Sequence, residues 1–155
     1  FRTQLAPTSG AMGYGVPSAI TAKLIEPERM VVSFSGDGCF QMYGQELATA
    51  VQQKAPVVFI IANNGMFGTI RMHQERNYPE RVIATKIQNP DFTALAQAYG
   101  AHGELVTKTE DFAAAFDRAV ESGKPAVIEL QIDPEASTPV QTLSEARESG
   151  LGANT

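Results

Sequence analysis

Two apolar runs each end in a short polar turn, and the segment between them is long enough for one helix. Val31, Val32 and Phe34 lead into Gly36-Asp37-Gly38, and Val57-Val58-Phe59-Ile60-Ile61-Ala62 lead into Asn63-Asn64-Gly65. Short runs rich in Val, Ile and Phe, bounded by turn residues, read as buried strands. Between them Phe40, Tyr43, Leu47, Ala50 and Val51 recur at helical spacing, predicting a helix from Phe40 to about Lys54 that Pro56 ends. A strand–turn–helix–strand unit of this kind builds a parallel sheet, and ligands bind beyond the carboxyl ends of its strands. The topology puts Asp37 and Asn64 on that same rim. A carboxylate and an amide oxygen are hard donors that suit Mg2+ holding a phosphate.

The remaining chain continues the alternation of helix and strand. Pro17 to about Ile25 reads as a short helix with Ala19, Ile20 and Leu24 on one face, stopped by Pro27. Met66 to Tyr78 is ambiguous: Ile70, Met72 and His73 fit a short helix, while Gly68 weakens its start. Asn89-Pro90 reads as a cap and first-turn proline before the stripe Phe92, Leu95, Ala96 and Tyr99, with Gly100 as terminator. Leu105 and Val106 suggest a third strand. Thr107 and Glu110 have capping-box spacing before a helix through Phe112, Ala115, Phe116, Ala119 and Val120, ended by Gly123. Ala126 to Ile132 reads as a fourth strand. Residues 134–155 are polar and small, a tail or arm on what reads as one domain over 1–155. The predicted fold is α/β, doubly wound, with a mostly parallel sheet and helices on both faces in three layers.

Composition excludes more than it selects. At 155 residues the chain is long enough to bury about 70% of its unfolded surface. A net charge of −5 with unclustered Lys and Arg gives no footprint for nucleic acid. The longest apolar run is far short of a membrane span, and no signal peptide is visible. The single cysteine, Cys39, cannot form an internal disulfide and points to a reducing cytoplasm. Starting at Phe1 in irregular sequence, the chain reads as a piece of a longer polypeptide.

Each motif has a plainer reading. Gly-Asp-Gly alone is a turn, and Asn-Gly after a strand is a hairpin signal, although Met66 to Arg71 lacks the alternation of a returning strand. A receiver-type signalling domain, also doubly wound with an Asp at a strand end, is a reading from another class. Its Lys-Pro pair should end a strand, whereas Lys124-Pro125 precedes one.

Taken together, Gly36-Asp37-Gly38 followed some two dozen residues later by Asn63-Asn64 resembles the signature of thiamine diphosphate-dependent enzymes. Residues Ser9 to Ala19 are similar to the loop that cradles the cofactor's aminopyrimidine in the acetolactate synthase-like branch. Gln45 to Ala50, Asn63 to Arg71 and Asn89 to Phe92 resemble further segments of that branch. The resemblance implies a thiamine diphosphate- and Mg2+-binding C-terminal domain of an enzyme that decarboxylates a 2-oxo acid, with carboligation or aldehyde release. Benzoylformate decarboxylase-like and glyoxylate carboligase-like enzymes are the alternatives within the family.

By position, the resemblance implies that Asp37, the side chain of Asn64 and the backbone carbonyl of Met66 ligate Mg2+. Gly36 and Gly38 let the backbone approach the diphosphate, and the N–H groups of Gly38 and Cys39 face it. Cys39 replaces a small residue, so its thiol is incidental. Gly10 would accept a hydrogen bond from the aminopyrimidine, Ala11 shares that loop, and Met12 would support the bent cofactor, plain core packing being its alternative. Phe67 and Gly68 complete the contacts. Among the histidines, His102 reads as structural, and His73 stands where it could approach substrate. No catalytic residue is expected in this chain. The activating glutamate belongs to the pyrimidine-binding domain, supplied by a second subunit of a homo-oligomer. A flavin (FAD) occupies the middle domain of true acetolactate synthases, leaving FAD open for the parent enzyme.

Overall fold

The computed structural model describes residues 3–153. These divide into two compact units, one running to Asn63 and resuming over Pro90–Gln131, the other comprising Asn64–Asn89 and the chain from Ile132.

The first unit is an α/β sandwich. Its elements are α1 (Gly15–Ile25), β1 (Val31–Gly36), α2 (Asp37–Gln41), α3 (Leu47–Gln52), β2 (Val57–Asn63), α5 (Phe92–Ala98), β3 (His102–Val106), α6 (Phe112–Glu121) and β4 (Ala126–Gln131). The four strands form one all-parallel sheet in the order β1-β2-β4-β3. Alternation along β2 separates two cores. Val57, Phe59 and Ile61 meet Val16, Ile20, Phe40, Leu47, Phe92 and Ala96 on one face. Val58 and Ile60 meet Ala115 and Ala119 of α6 on the other. The helices therefore cover both faces, as the sequence pattern requires. Phe40 anchors the first core through edge contacts to the rings of Phe59 and Phe92.

Several local expectations change. On α1 the buried stripe is Val16, Ala19 and Ile20, and Leu24 is exposed. β1 is an edge strand: Ser33 is buried while Val32 and Phe34 face outward, the reverse of a strand buried by its apolar residues. The helix predicted from Phe40 to Lys54 is broken into α2, a 3-10 turn at Gly44–Glu46, and α3. The cap of α5 is Asp91, whose Oδ1 accepts from the N–H of Ala94 at 2.8 Å, not Asn89. No capping box forms at Thr107, because a 3-10 turn at Thr109–Asp111 intervenes before α6. Gly100 and Gly123 do sit at the left-handed positions expected after α5 and α6.

In the second unit the ambiguous segment resolves as α4 (Gly68–Asn77), and the stretch expected as a polar arm carries α7 (Leu143–Ala153). The capping box looked for at Thr107 occurs here. Thr142 Oγ1 accepts from the N–H of Glu145 at 3.2 Å, and Glu145 Oε2 accepts from the N–H of Thr142 at 2.7 Å. The bonds that Glu145 Oε2 accepts from the N–H and then the hydroxyl of Thr142 hold its carboxyl below the ordinary range. Leu143, Ala146 and Gly150, one stripe of α7, are buried, and α7 packs on α4. Among the described residues no helix is long and apolar enough to cross a membrane.

Candidate functional site

In the first unit, the sheet register aligns the ends of β1 and β2. Gly36 pairs with Ala62, so Asp37 and Asn63 both stand at the carboxyl ends of neighbouring parallel strands. Asp37 opens α2 with only 2% of its surface exposed, and its Oδ1 accepts from the N–H of Gly38 at 2.9 Å. Gly38 is buried and Cys39 half-buried on the same short helix. A Cβ built at Gly36 meets no atom within 4 Å, so open space lies in front of this backbone. That is a cradle a side chain would fill, and it suits close approach of an anion to the backbone. With five residues, α2 contributes a smaller dipole than a long helix would.

The loop before α1 is shaped by the break in the predicted helix. Gly13 has φ +88°, and a Cβ there would lie 2.5 Å from the ring of Tyr43 and 3.1 Å from Met42. Met42 and Tyr43 fall in the interruption between α2 and α3, so the break forms the seat on which this loop rests. Within the loop Gly10 takes φ +66° and, like Ala11, is exposed. Met12 is half-buried and is not among the residues of either core cluster.

Sequence reasoning missed the neighbour of Asn63. Its Nδ2 donates to Glu129 Oε1 at 2.7 Å, and Glu129 is 6% exposed near the carboxyl end of β4. A glutamate inside a strand of apolar neighbours was the available signal, since an interior carboxylate requires a donor. Its effect is to fix the side chain of the residue preceding Asn64.

In the second unit, Asn64 to Gly68 form a tight loop leading into α4. Asn64 Oδ1 accepts from the N–H of Met66 at 3.1 Å, and Gly65 takes φ +69°. An amide oxygen has two lone pairs, so one remains for a cation. A Cβ at Gly68 would stand 2.7 Å from Asn64 Nδ2, so only glycine lets α4 begin this close to the amide. The opposite side of the loop is held by the returning chain. Ile87 N–H donates to Gly65 O and Phe67 N–H to Thr85 O, each at 2.8 Å. Asn64, Met66 and Phe67 are all half-buried. Of the residues singled out from the sequence, the second unit contains Asn64, Met66, Phe67 and Gly68, and the first contains Gly10, Ala11, Met12, Gly36, Asp37, Gly38 and Cys39.

Carboxylate, amide and carbonyl oxygens, the kinds carried by Asp37, Asn64 and Met66, are the hard donors that Mg2+ takes. Among the described residues no three His, Cys, Asp or Glu side chains gather as a metal cluster. Neither histidine joins this set. His73 Nδ1 lies 2.8 Å from Arg76 on the exposed side of α4. His102 Nε2 lies 3.0 Å from Glu104, which also holds Arg118 through two bonds, a surface ion-pair cluster. Arg118, followed by His102, lowers the Glu104 carboxyl.

The most perturbed acid is Glu75 on α4, with no exposed surface. Arg147 of α7 donates to both its oxygens at 2.8 Å, and Arg71 donates to Oε1 at 2.8 Å. Arg147 chiefly, then Arg71, draws its carboxyl down to about 2 against the opposing effect of burial. The Arg71–Glu75 spacing is visible as an i,i+4 pair, but nothing local announces Arg147.

The comparisons with known proteins agree on a family. A family model described as thiamine pyrophosphate enzyme, C-terminal TPP binding domain, matches residues 2–130. A Bacillus subtilis protein, YdaP, described as thiamine pyrophosphate-containing, is 42% identical over 83% of this chain and 22% of its own length. The acetolactate synthase isozyme 2 large subunit of Escherichia coli is 37% identical over 80% of the chain and 23% of its own length. Among solved structures, the thiamine diphosphate-dependent 4-hydroxybenzoylformate decarboxylase of Rhodococcus jostii superposes with a TM-score of 0.77 at 36% identity, covering 82% of this chain and 24% of that one. The chain spans less than a quarter of the length of these relatives.

Proposed function

The chain belongs to the thiamine pyrophosphate enzymes as their C-terminal cofactor-binding domain, and on that premise we propose that it serves an acetolactate synthase-like enzyme acting on a 2-oxo acid. Asp37, the side chain of Asn64 and the carbonyl of Met66 hold Mg2+ against the cofactor's diphosphate. Gly36, Gly38 and Cys39 present backbone to the anion, with Phe67 and Gly68 beside it, and Gly10, Ala11 and Met12 support the aminopyrimidine. The cofactor supplies the stabilised carbanion chemistry, and this chain binds and orients it. The observation that carries the reading is Asp37, a buried carboxylate at the carboxyl end of β1, where a parallel sheet binds its ligands, next to the open space in front of Gly36.

The other half of the site is proposed to come from a pyrimidine-binding domain of a second subunit, which brings the activating glutamate. The isolated chain then turns over no substrate and binds the cofactor weakly, near millimolar, on the order of 4 kcal/mol. Arg71, which pairs with Glu75, stands near where some decarboxylases of the family carry a glutamate, and this speaks against a pyruvate decarboxylase-like route. The Rhodococcus neighbour supports a second reading, a benzoylformate decarboxylase-like enzyme that releases an aldehyde. The family match sets the receiver-type alternative aside. The test is the parent enzyme assayed with pyruvate and with benzoylformate. Acetolactate from pyruvate supports the first reading, benzaldehyde from benzoylformate the second, and neither product would overturn both.

A further inference from the structure

The second unit holds a fully buried acid that the proposed cofactor site does not use. Glu75 receives Arg147 from a helix 72 residues away in the chain, and that helix lies beyond residues 2–130, which the family model matches. The docking is close as well as charged. A Cβ at Gly150 would stand 2.4 Å from Arg76 O and 2.8 Å from Glu75 O, so α7 crosses α4 backbone to backbone at a point where only glycine fits.

Helix α4 is the rigid link between this contact and the loop of the candidate metal donors. Its first residue is Gly68, in contact with the Asn64 amide, and Glu75 lies two turns further on. Gln74, next to Glu75, ties the same helix to the returning chain: its Nε2 donates to Ile83 O at 2.9 Å, and its Oε1 accepts from Ile83 N–H at 3.2 Å. That returning chain supplies Thr85 and Ile87, which bond the loop. Any tilt of α4 therefore shifts Gly68 against Asn64 and strains the bonds at Gly65 and Phe67 together.

We propose that the Glu75–Arg147 ion pair positions the metal-donor loop, with α7 acting as a brace that fixes α4 and through it Asn64 and Met66. Glu75 and Arg147 are positioning residues and do not touch the cofactor. The inference rests on the reading of Asn64 and Met66 as Mg2+ donors. It assigns a role to residues 143–153, which lie outside the residues that the family model matches.

The test uses the full chain, nitrogen-labelled, as wild type, Arg147→Met, Arg147→Lys and the control Arg118→Met, which breaks an ion pair of similar form on α6. Amide exchange at Phe67 and Ile87 reports the loop directly, and titration with thiamine diphosphate in saturating Mg2+ reports the donors. In Arg147→Met both amides exchange about tenfold faster or more and the dissociation constant rises about tenfold. Arg147→Lys, which keeps the charge without the two-pronged bond, recovers part of both effects, and Arg118→Met leaves both unchanged. Loss of protection in α7 with unchanged exchange at Phe67 and Ile87 overturns the brace. Faster loop exchange with unchanged affinity overturns instead the reading of Asn64 and Met66 as donors. If Arg147→Met does not fold, Arg147→Lys alone decides by the same two readouts.

Discussion

Replacing Glu75 by Gln removes one buried charge and leaves its shape. The folded carboxyl titrates at about 2 against an ordinary 4.5. At 1.36 kcal/mol per pH unit, that difference is worth on the order of 3 kcal/mol of stability. Because the folded value is depressed, the stabilisation is complete above pH 4.5 and is lost as pH falls through about 2. Arg147 is one-third exposed and can turn to water in the variant, which limits the penalty for leaving it unpaired. The assay is urea unfolding of wild type and Glu75→Gln from pH 2 to pH 7. At pH 7 the variant is less stable by about 3 kcal/mol, lowering the melting temperature by roughly 6–12 °C for a chain of this size. Towards pH 2 the two stabilities converge, since wild-type Glu75 is by then half protonated in the folded protein and most of its contribution is gone. Glu104 and Glu145 titrate identically in both proteins and cancel in the difference. A stability gap that stays constant down to pH 2 would refute the reasoning, because it would mean that the charge of Glu75 carries none of the effect.

Four further outcomes follow from the geometry. Gly36→Ala places a methyl group in open space, so it leaves thermal stability within about 0.5 kcal/mol while reducing Mg2+-dependent thiamine diphosphate binding in calorimetry at least tenfold. Phe40→Ala removes a fully buried ring that touches Phe59 and Phe92 and costs about 3–5 kcal/mol in denaturant unfolding. Thr142→Ala loses the capping box of α7 and costs about 1 kcal/mol, with faster exchange confined to the start of that helix. Cys39→Ser leaves cofactor titration curves unchanged, because in the proposed site residue 39 meets the diphosphate through its backbone N–H and not through its side chain.

The parallel sheet was legible because Val57 to Ala62 is too apolar for anything but a central strand, and because Pro27 and Pro56 punctuate the crossovers. Strand β1 misled, since its apolar residues Val32 and Phe34 face outward and its serines face in, an arrangement that depends on which strands flank it. The break in the helix after Phe40 was invisible for a similar reason. Its residues keep helical spacing, but Gly13 from a distant loop seats on Tyr43, and a Cβ at Gly44 would stand 2.8 Å from the Phe40 ring. Capping could be read only as spacing: Thr107 and Glu110 have it without forming a box, whereas Thr142 and Glu145 form one. The candidate ligands Asp37 and Asn64 were accessible because turn chemistry at strand ends is local. Glu75 with Arg147 and Asn63 with Glu129 were not, because each pairs residues far apart in the chain that only folding brings together.

The central claim is that the strand-end oxygens of this chain bind a Mg2+–diphosphate unit, and calorimetric titration of thiamine diphosphate into the chain tests it most directly. The account predicts weak, near-millimolar binding with Mg2+, none with Mg2+ replaced by a chelator, and none for Asp37→Ala with Mg2+ present. Binding of equal strength in all three experiments would contradict it, as it would show that neither the metal nor Asp37 takes part.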